Sequence, residues 1–288
     1  MFAALSAAMC ITAVSCGDDE SEEPGAGNVT SSPSLSDFGG VRLSKVSYDS
    51  GDNTYEYFTS FDYNSYGLLT RVVDGNDQII FDYQKATLSF VGDDYRQDTR
   101  FTTDTKGHLT GFTFSDKDEE GYTGVLTYTF RYDDADHLLH AEYNSVSTSP
   151  EGSTSSTTII TFDFTWDGDL LTKSVCNGEE SGSAYTKKWK STSTYSYTDA
   201  PDNRYMQYTS RLVSDIDLDS SIEPIMHVGM LGKGPAKYPT HIKQVRDSGT
   251  EETAISYILN SWGLVEVETS TSAYGTGSTK YTYSDPSK

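Results

Sequence analysis

Cysteine is scarce in this chain, and its placement excludes a disulfide framework. Only three cysteines occur among 288 residues, and two of them, Cys10 and Cys16, stand close to the N-terminus. The rest of the chain contains Cys176 alone. Because a single cysteine forms no internal disulfide, the folded part is stabilised by its core and its hydrogen-bonded elements.

Basic residues are also few. Lysine and arginine number 21 against 43 aspartates and glutamates, which gives a net charge of −22. Proteins that bind nucleic acid present a concentrated basic surface, and anionic lipid is bound by basic faces. The composition therefore argues against a nucleic-acid partner and against electrostatic docking on a membrane.

Long helical patterns are missing from residue 41 onward. Aromatic and apolar residues instead recur at every second position, as in Tyr128, Phe130 and Tyr132. This alternation is typical of strands with one buried face, and Asp, Asn and Gly between the runs favour tight hairpin turns. The pattern predicts an all-β fold, an antiparallel meander of many hairpins that forms a strongly curved sheet or a barrel-like, soluble structure.

A weak internal repeat accompanies the alternation. Its unit is an aromatic residue, a second aromatic two positions on, a polar turn ending in Gly or Asp, and a pair of mostly aliphatic residues. Its copies end at Gly67-Leu68-Leu69, Gly107-His108-Leu109, Asp136-His137-Leu138-Leu139, Gly168-Asp169-Leu170-Leu171 and Gly263-Leu264-Val265. The spacing indicates one hairpin following another. The unit is similar to the YD repeats of large bacterial shell-forming proteins, a likeness that we attribute to shared hairpin geometry.

The first residues predict an export signal. Residues 1–15 carry no charge and are mostly apolar or small. Such a stretch matches the core of a signal peptide and is too short for a membrane span, which takes about 20 apolar residues. Ala13-Val14-Ser15-Cys16 resembles a bacterial lipobox, whose cysteine is lipidated. We therefore expect a lipoprotein signal peptide at residues 1–15 and a lipid anchor on Cys16.

An acidic tract follows the predicted anchor. Residues 17–23 contain five acids and no base. The tract resembles the segment that follows the lipid cysteine in Bacteroidetes lipoproteins and is associated with export to the cell surface. Residues 16–37 are too polar to bury a core and are expected to form a disordered tether. The expected location is the outer membrane, exposed on the cell surface, with the periplasmic face as the alternative.

Taken together, the size, lipobox, acidic tether and aromatic meander resemble an uncharacterised family of Bacteroidetes lipoproteins, a domain of unknown function with a porin-like fold. The resemblance covers residues 38–288. It implies the fold, and it implies no activity.

One stretch interrupts the alternation within this single predicted domain. Residues 209–239 contain Pro224, Pro235 and Pro239 and show no period, which indicates a long irregular connection with room for one short helix. The remaining runs suffice for roughly 14 strands, and a closed barrel of that size is hollow. We therefore expect the sheet to be flattened, open, or plugged by the 209–239 connection.

Catalytic signatures are absent from the sequence. No Gly-x-Ser-x-Gly elbow is present, and the segment ending in Gly232-Lys233 lacks the first glycine and the Ser or Thr of a phosphate loop. The many carboxylates single out no pair for glycoside hydrolysis.

Three aspartates form the one candidate metal site. Asp215, Asp217 and Asp219 are spaced like the first ligands of a calcium loop, but Ser220 and Met226 replace its turn glycine and its final glutamate. A weak calcium site is therefore a candidate beside the simpler interpretation of a solvated acidic loop. No other cofactor is expected.

The tryptophans are candidate ligand-binding residues. Trp166, Trp189 and Trp262 have side chains suited to stacking on sugar rings, although aromatic residues in alternating strands are more often part of the core. Trp189 lies between Lys188 and Lys190, a local basic cluster that we interpret as an edge strand guarded by lysines. A small site for an anionic ligand or a partner is the alternative.

Three functions are compatible with these features. The first is a non-enzymatic module anchored at the cell surface or in the envelope, with a structural role or a glycan or protein ligand. A hydrolase with dispersed carboxylates is the alternative. A membrane-spanning outer-membrane barrel is the third, but it needs a continuous outward apolar band, whereas polar residues recur on both faces here.

Overall fold

The computed structural model describes residues 41–49, 57–93, 95–117, 121–216, 218 and 222–284. The predicted signal peptide, the lipidation site Cys16 and the predicted tether lie outside these residues. The elements in chain order are β1 (Arg42–Asp49), β2 (Tyr57–Tyr63), β3 (Leu69–Asp74), β4 (Asp77–Asp82), β5 (Thr87–Val91), β6 (Arg96–Thr103), β7 (Leu109–Lys117), β8 (Thr123–Tyr132), β9 (Leu138–Thr148), β10 (Thr154–Asp167), β11 (Leu170–Gly182), β12 (Thr186–Ser196), α1 (Ser210–Ile216), α2 (Glu223–Met226), β13 (His241–Arg246), β14 (Gly249–Leu259), β15 (Val265–Ser272) and β16 (Gly275–Ser284).

The strands form one closed antiparallel barrel. Each strand pairs with the next along the chain, and β1 pairs with β16, with Val46 opposite Tyr281. This confirms the predicted all-β meander and shows that the sheet closes. The described part contains sixteen strands rather than the roughly 14 expected from the alternating runs of the sequence. One turn that gives little sequence signal joins β4 to β5, where Ala86 takes the positive-φ position usually held by Gly or Asn.

Successive connections alternate between the two ends of the barrel. The turns after β2, β4, β6, β8, β10 and β14, and the long connection after β12, lie at one end, which we name the turn end. The connections after the odd-numbered strands lie at the opposite end, which we name the far end. The two ends are built from different residues.

The sequence repeat corresponds to turns at the turn end. Four of these turns begin with an Asn or Asp whose Oδ1 accepts hydrogen bonds from the backbone N–H groups two and four residues later. The third residue after it has positive φ, which the Gly or Asp of the repeat allows. The fifth is a buried aliphatic residue. The four turns run from Asn64 to Leu69, Asp104 to Leu109, Asp133 to Leu138 and Asn260 to Val265.

The long connection fills the barrel from the turn end. We name residues 203–239 the plug; their described part carries α1 and α2. Leu212, Met226 and Leu231 of the plug are completely or almost completely buried. The backbone of the plug is also bonded to the turns: Leu109 N–H donates to Met230, and Lys233 N–H donates to Asp136. The plugged alternative is therefore the correct one, and the described part of the segment contains two short helices where the sequence indicated room for one.

The inner face of the wall is apolar where it meets the plug. Phe61, Phe130 and Phe162 point inward and are buried, and Phe162 and Phe130 share an apolar cluster with Leu218 of the plug. A barrel of about sixteen strands cannot fill its own lumen with side chains. The plug supplies the missing core, so wall and plug are one folding unit.

The outer face of the wall is charged. The outward positions alternate with the buried ones and carry exposed ionic side chains on most strands, including Asp62, Arg71, Asp98, Arg100, Arg131, Asp163, Lys173, Lys243, Glu252 and Lys280. Exposed Ile159 lies between Asn144 of β9 and Glu179 of β11. The outer face of bacterial porins has the opposite character, since it is apolar where it contacts lipid. Among the described residues, no helix has the length and apolar character needed to cross a lipid bilayer.

Candidate functional site

Buried polar groups of the wall hold the beginning of α1. The Ser210 N–H donates to the Tyr281 hydroxyl at 2.7 Å, and the Arg211 N–H donates to Glu268 Oε1 at 2.7 Å. These N–H groups have no partner inside the helix, so the wall provides their acceptors. Burial raises the pKa of Glu268 to about 7. The Glu268 carboxyl is enclosed between wall and plug. Its hydrogen bond to the Arg211 N–H shows that it caps the start of α1.

The end of α1 is held in the same way by Asp215. The Tyr195 hydroxyl donates to Asp215 Oδ2 at 2.7 Å, and Ser174 Oγ lies 2.8 Å from the Tyr195 hydroxyl. Burial raises the pKa of the Asp215 carboxyl. Asp217 and Asp219 lie outside the described residues. Within the described ranges, no group of three acidic, histidine or cysteine side chains is arranged to hold a metal ion, and Asp215 faces the wall.

A polar pocket remains between the plug and strands β1 to β3. We name it the β1–β3 pocket; its volume is about 210 Å³, and it lies inside the barrel on the far-end side of α1 and α2. The wall contributes hydroxyl groups and one carboxylate, and the plug contributes a second carboxylate, a histidine and hydroxyl groups. The lining includes Tyr48, Tyr57, Thr59, Asp74, Ser210, Ser214, Glu223 and His227.

Strand register explains how the wall side of this pocket forms. Thr59 is paired with Asp74, and Tyr48 is paired with Tyr57, so all four point into the lumen. The Tyr57 hydroxyl donates to Asp74 Oδ2 at 2.5 Å, and Thr59 Oγ1 donates to Asp74 Oδ1 at 2.6 Å. Both oxygens of the carboxylate are therefore fixed in position, while each keeps capacity for a further hydrogen bond.

The plug side of the pocket contributes His227. Its ring is 3% exposed, and Nδ1 lies 2.9 Å from the backbone oxygen of Tyr208. A carbonyl only accepts, so Nδ1 carries the proton and Nε2 is a hydrogen-bond acceptor. Burial lowers the pKa of His227 to about 4, so the ring is neutral at neutral pH. The pocket is therefore rich in acceptors.

The structure does not bring the three tryptophans together. Trp166 lies near the turn end of β10, where Nε1 donates to the Leu138 oxygen at 2.9 Å and the indole stacks on His137 at 4.2 Å. Trp262 is half-exposed in the turn between β14 and β15. Trp189 is on β12 toward the far end, inside the barrel, with its indole over Gly178 of β11. No common aromatic platform results.

The lysines beside Trp189 lie on a strand that is only partly paired. β12 pairs with both neighbours from Ser191 to Thr194, but in the described structure residues 186–190 pair with β11 alone. Lys188 points outward and forms an ion pair with Glu179 at 2.8 Å. It lines a shallow outer hollow of about 500 Å³ with Lys190. Charges of both signs line this hollow, so it presents no concentrated anion site.

Sequence reasoning missed the residues of the β1–β3 pocket. Asp74 stood in a turn-like Asp-Gly-Asn stretch, and His227 was one of several isolated histidines. Asp74 and His227 come together in the pocket only because β3 faces the part of the plug that carries His227. The only sequence signal for this convergence was the interruption of the alternation by the long connection.

Comparison with known proteins supports the fold. No family model and no curated protein sequence matches the chain. Similar solved structures include a porin-like protein from Bacteroides uniformis, with 17% identity and a TM-score of 0.55 over 84% of this chain and 98% of that chain. A porin-like protein from Bacteroides vulgatus has 14% identity and a TM-score of 0.57 over 85% and 98%. The chain therefore has the porin-like fold.

Proposed function

We propose that this protein is a non-enzymatic binding module, tethered to the outer membrane by a lipid on Cys16 and exposed on the cell surface. In this proposal the barrel itself stays in water, and a glycan or protein ligand reaches the lumen from the far end. The β1–β3 pocket is the binding site. The proposal also includes membership of the Bacteroidetes lipoprotein family that the sequence resembles.

The observation that carries the proposal is the distribution of polarity across the wall. A spanning barrel requires a continuous apolar outer band, because lipid cannot solvate charged side chains. Here the outer face has ionic groups along most strands, and the apolar side chains face the plug. A channel is also disfavoured, since the plug occupies the lumen at the turn end.

A hydrolase is less well supported by the same structure. The carboxyl groups with raised pKa values, Asp215 and Glu268, are enclosed between wall and plug and are engaged with α1. Catalytic acids need access to substrate. In the β1–β3 pocket, hydrogen-bonding groups converge in a cavity, which is typical of binding sites.

Fractionation of cells tests the anchor and the solubility of the barrel together. We expect the wild-type chain in the membrane fraction and the Cys16→Ala variant in the soluble fraction without detergent. The matched control is Cys10→Ala, which removes the other cysteine of the leader and leaves the proposed lipid site. Retention of Cys16→Ala in the membrane would contradict the proposal and favour a spanning barrel.

Protease treatment of intact cells tests the exposed location. We expect a tagged protein to be degraded on intact cells as completely as in lysed cells. Protection until lysis would place the barrel on the periplasmic face. A glycan-array screen of the purified chain, with Asp74→Asn as comparison, then tests whether ligands use the β1–β3 pocket.

A further inference from the structure

The β1–β3 pocket has a one-sided charge. Asp74 of the wall and Glu223 of the plug both line it, and the described lining residues include no lysine or arginine. Burial raises the pKa of Tyr48, and the charges of Asp74 and Glu223 raise it further. Two carboxylates in one cavity favour a cationic ligand over an anionic one.

The hydrogen-bonding groups of the pocket also favour a cationic ligand, because the groups left available are mainly acceptors. The hydroxyl groups of Tyr57 and Thr59 are already used as donors to Asp74. His227 offers Nε2, a neutral acceptor for which the described part of the chain supplies no partner. Carboxylate oxygens and an imidazole nitrogen that all accept are complementary to a group with several N–H donors.

Two aromatic rings complete this environment. Tyr48 and Tyr57 are paired across β1 and β2, with ring centroids 5.6 Å apart and planes inclined by 41°. Both rings line the pocket beside Asp74. The face of a tyrosine ring attracts cations, so the rings add to the carboxylates.

The volume of the pocket and its serine hydroxyl groups limit what the uncharged part of the ligand can be. A volume of about 210 Å³ accommodates a body of about one sugar ring. Ser214 is exposed on the pocket side of α1, and Ser210 of the same helix also lines the pocket. These hydroxyl groups suit a polyhydroxyl body better than an alkyl chain.

We propose that the β1–β3 pocket binds an amino sugar through its free ammonium group, held between Asp74 and Glu223 against Tyr48 and Tyr57. This inference rests on the proposed binding function of the pocket and names the class of ligand. Neutral sugars lack the charge, and acylated amino sugars have lost it.

Calorimetry with three sugars that share one ring tests the inference. The probes are glucosamine, N-acetylglucosamine and glucose, added to the full chain at about pH 6.5, where an amine is protonated. We expect glucosamine to bind about tenfold or more tightly than the two neutral sugars, because only it forms charge-assisted hydrogen bonds. Asp74→Asn is expected to remove this preference.

Control variants separate the pocket from general charge effects. Asp62→Asn removes a carboxylate from the outer face of the same hairpin, where Asp62 pairs with Arg71, and is expected to leave binding unchanged. If Asp74→Asn fails to fold, Glu223→Gln at the partly exposed start of α2 provides the same test. Loss of glucosamine binding in Asp62→Asn as well would overturn the assignment to the pocket.

The outcomes distinguish this inference from the proposed function. Equal binding of all three sugars that Asp74→Asn weakens would overturn the ammonium preference while the pocket would remain a binding site. Binding of a simple diamine such as putrescine with no binding of glucosamine would overturn the amino-sugar assignment. If no probe binds, the amino-sugar inference fails, and the broader binding function is then decided by the glycan screen.

Discussion

Strand β10 passes from the far end to the turn end with the same face toward the lumen throughout. Near the turn end that face presents Phe162 and Phe164, which are buried, whereas toward the far end it presents Ser156 and Thr158, which are partly exposed. The alternation is identical in both halves, and only the chemistry of the inward positions changes. The change coincides with the depth of the plug, so the wall is apolar only where another part of the chain covers it.

The comparison teaches that the two halves have different tasks. The turn-end half contains the hydrophobic core, and its repeated turns and buried aliphatic residues fix the plug. In the far-end half, strand β10 instead presents polar side chains to the lumen. The β1–β3 pocket lies at the boundary, where the last plug residues meet polar lumen positions. Stability is expected to be concentrated in the first half and ligand binding at the boundary.

The largest difference between the two halves is expected in the free energy of unfolding that is lost when an apolar side chain is truncated to alanine. Leu212 of α1 is 1% exposed, and Leu212→Ala should destabilise the fold by about 3 kcal/mol because it removes contacts and leaves a cavity. Ile159 on the outer face toward the far end is 38% exposed, and Ile159→Ala should cost less than about 1 kcal/mol. Denaturant unfolding measures both. Equal costs would contradict the concentration of stability in the plugged half.

The second prediction concerns the pH dependence of the plugged half. Burial raises the pKa of Glu268 from 4.5 to about 7, so between these values the native protein holds a proton that the unfolded chain releases. The stabilisation from this group is complete below pH 4.5 and is lost as pH rises through 7. Relative to Glu268→Gln, the wild type should therefore lose about 3 kcal/mol across this range.

The pH dependence of Glu268 has to be measured against the Glu268→Gln variant, because His227 contributes the opposite pH dependence. Burial lowers its pKa from 6.5 to about 4, so its contribution is complete above pH 6.5 and is lost as pH falls toward 4. The two groups therefore oppose each other in one protein. Denaturant titrations of wild type and Glu268→Gln at a series of pH values isolate the glutamate. Parallel curves would show that Glu268 titrates normally and is not enclosed.

The smallest effect is expected from replacing two glycines with alanine. Both glycines occupy inward positions of the wall toward the far end. A Cβ at Gly178 would lie 1.9 Å from the Trp189 ring, whereas a Cβ at Gly277 would meet nothing within 4 Å. Gly178→Ala should displace the indole, change the tryptophan fluorescence and destabilise by about 1 kcal/mol. Gly277→Ala should be neutral or stabilising by up to about 1 kcal/mol, since alanine has less freedom in the unfolded chain. An unchanged emission spectrum in Gly178→Ala would place Trp189 elsewhere.

The periodicity of single strands was sufficient to predict the fold class. Tyr128 and Phe130 alternate with outward residues as expected, and the repeated Asn or Asp turns identified the hairpins before the structure did. The strand number was underestimated, since turns such as that at Ala86 are specified by tertiary packing rather than by Gly or Asn. The plug was recognised by its lack of period, but its course inside the barrel depends on long-range contacts.

The candidate site was less accessible to sequence reasoning. Asp74 and His227 are separated by most of the chain and meet only because the barrel closes and the plug folds back into it. The tryptophans attracted attention by their chemistry alone, and the structure places them at separate positions. A site formed between a wall and a plug has no local motif, so no spacing rule was available to find it.

Replacement of the plug tests the central claim most directly. Because β12 and β13 are antiparallel neighbours, residues 198–239 can be exchanged for a two-residue Asn-Gly turn without lengthening any strand. As a control, the far-end turn at residues 149–153 is exchanged in the same way. We predict that the plug-less chain loses its cooperative thermal unfolding and binds an apolar dye, while the control keeps both properties of the wild type. A plug-less barrel that melts cooperatively at the wild-type temperature would contradict the account.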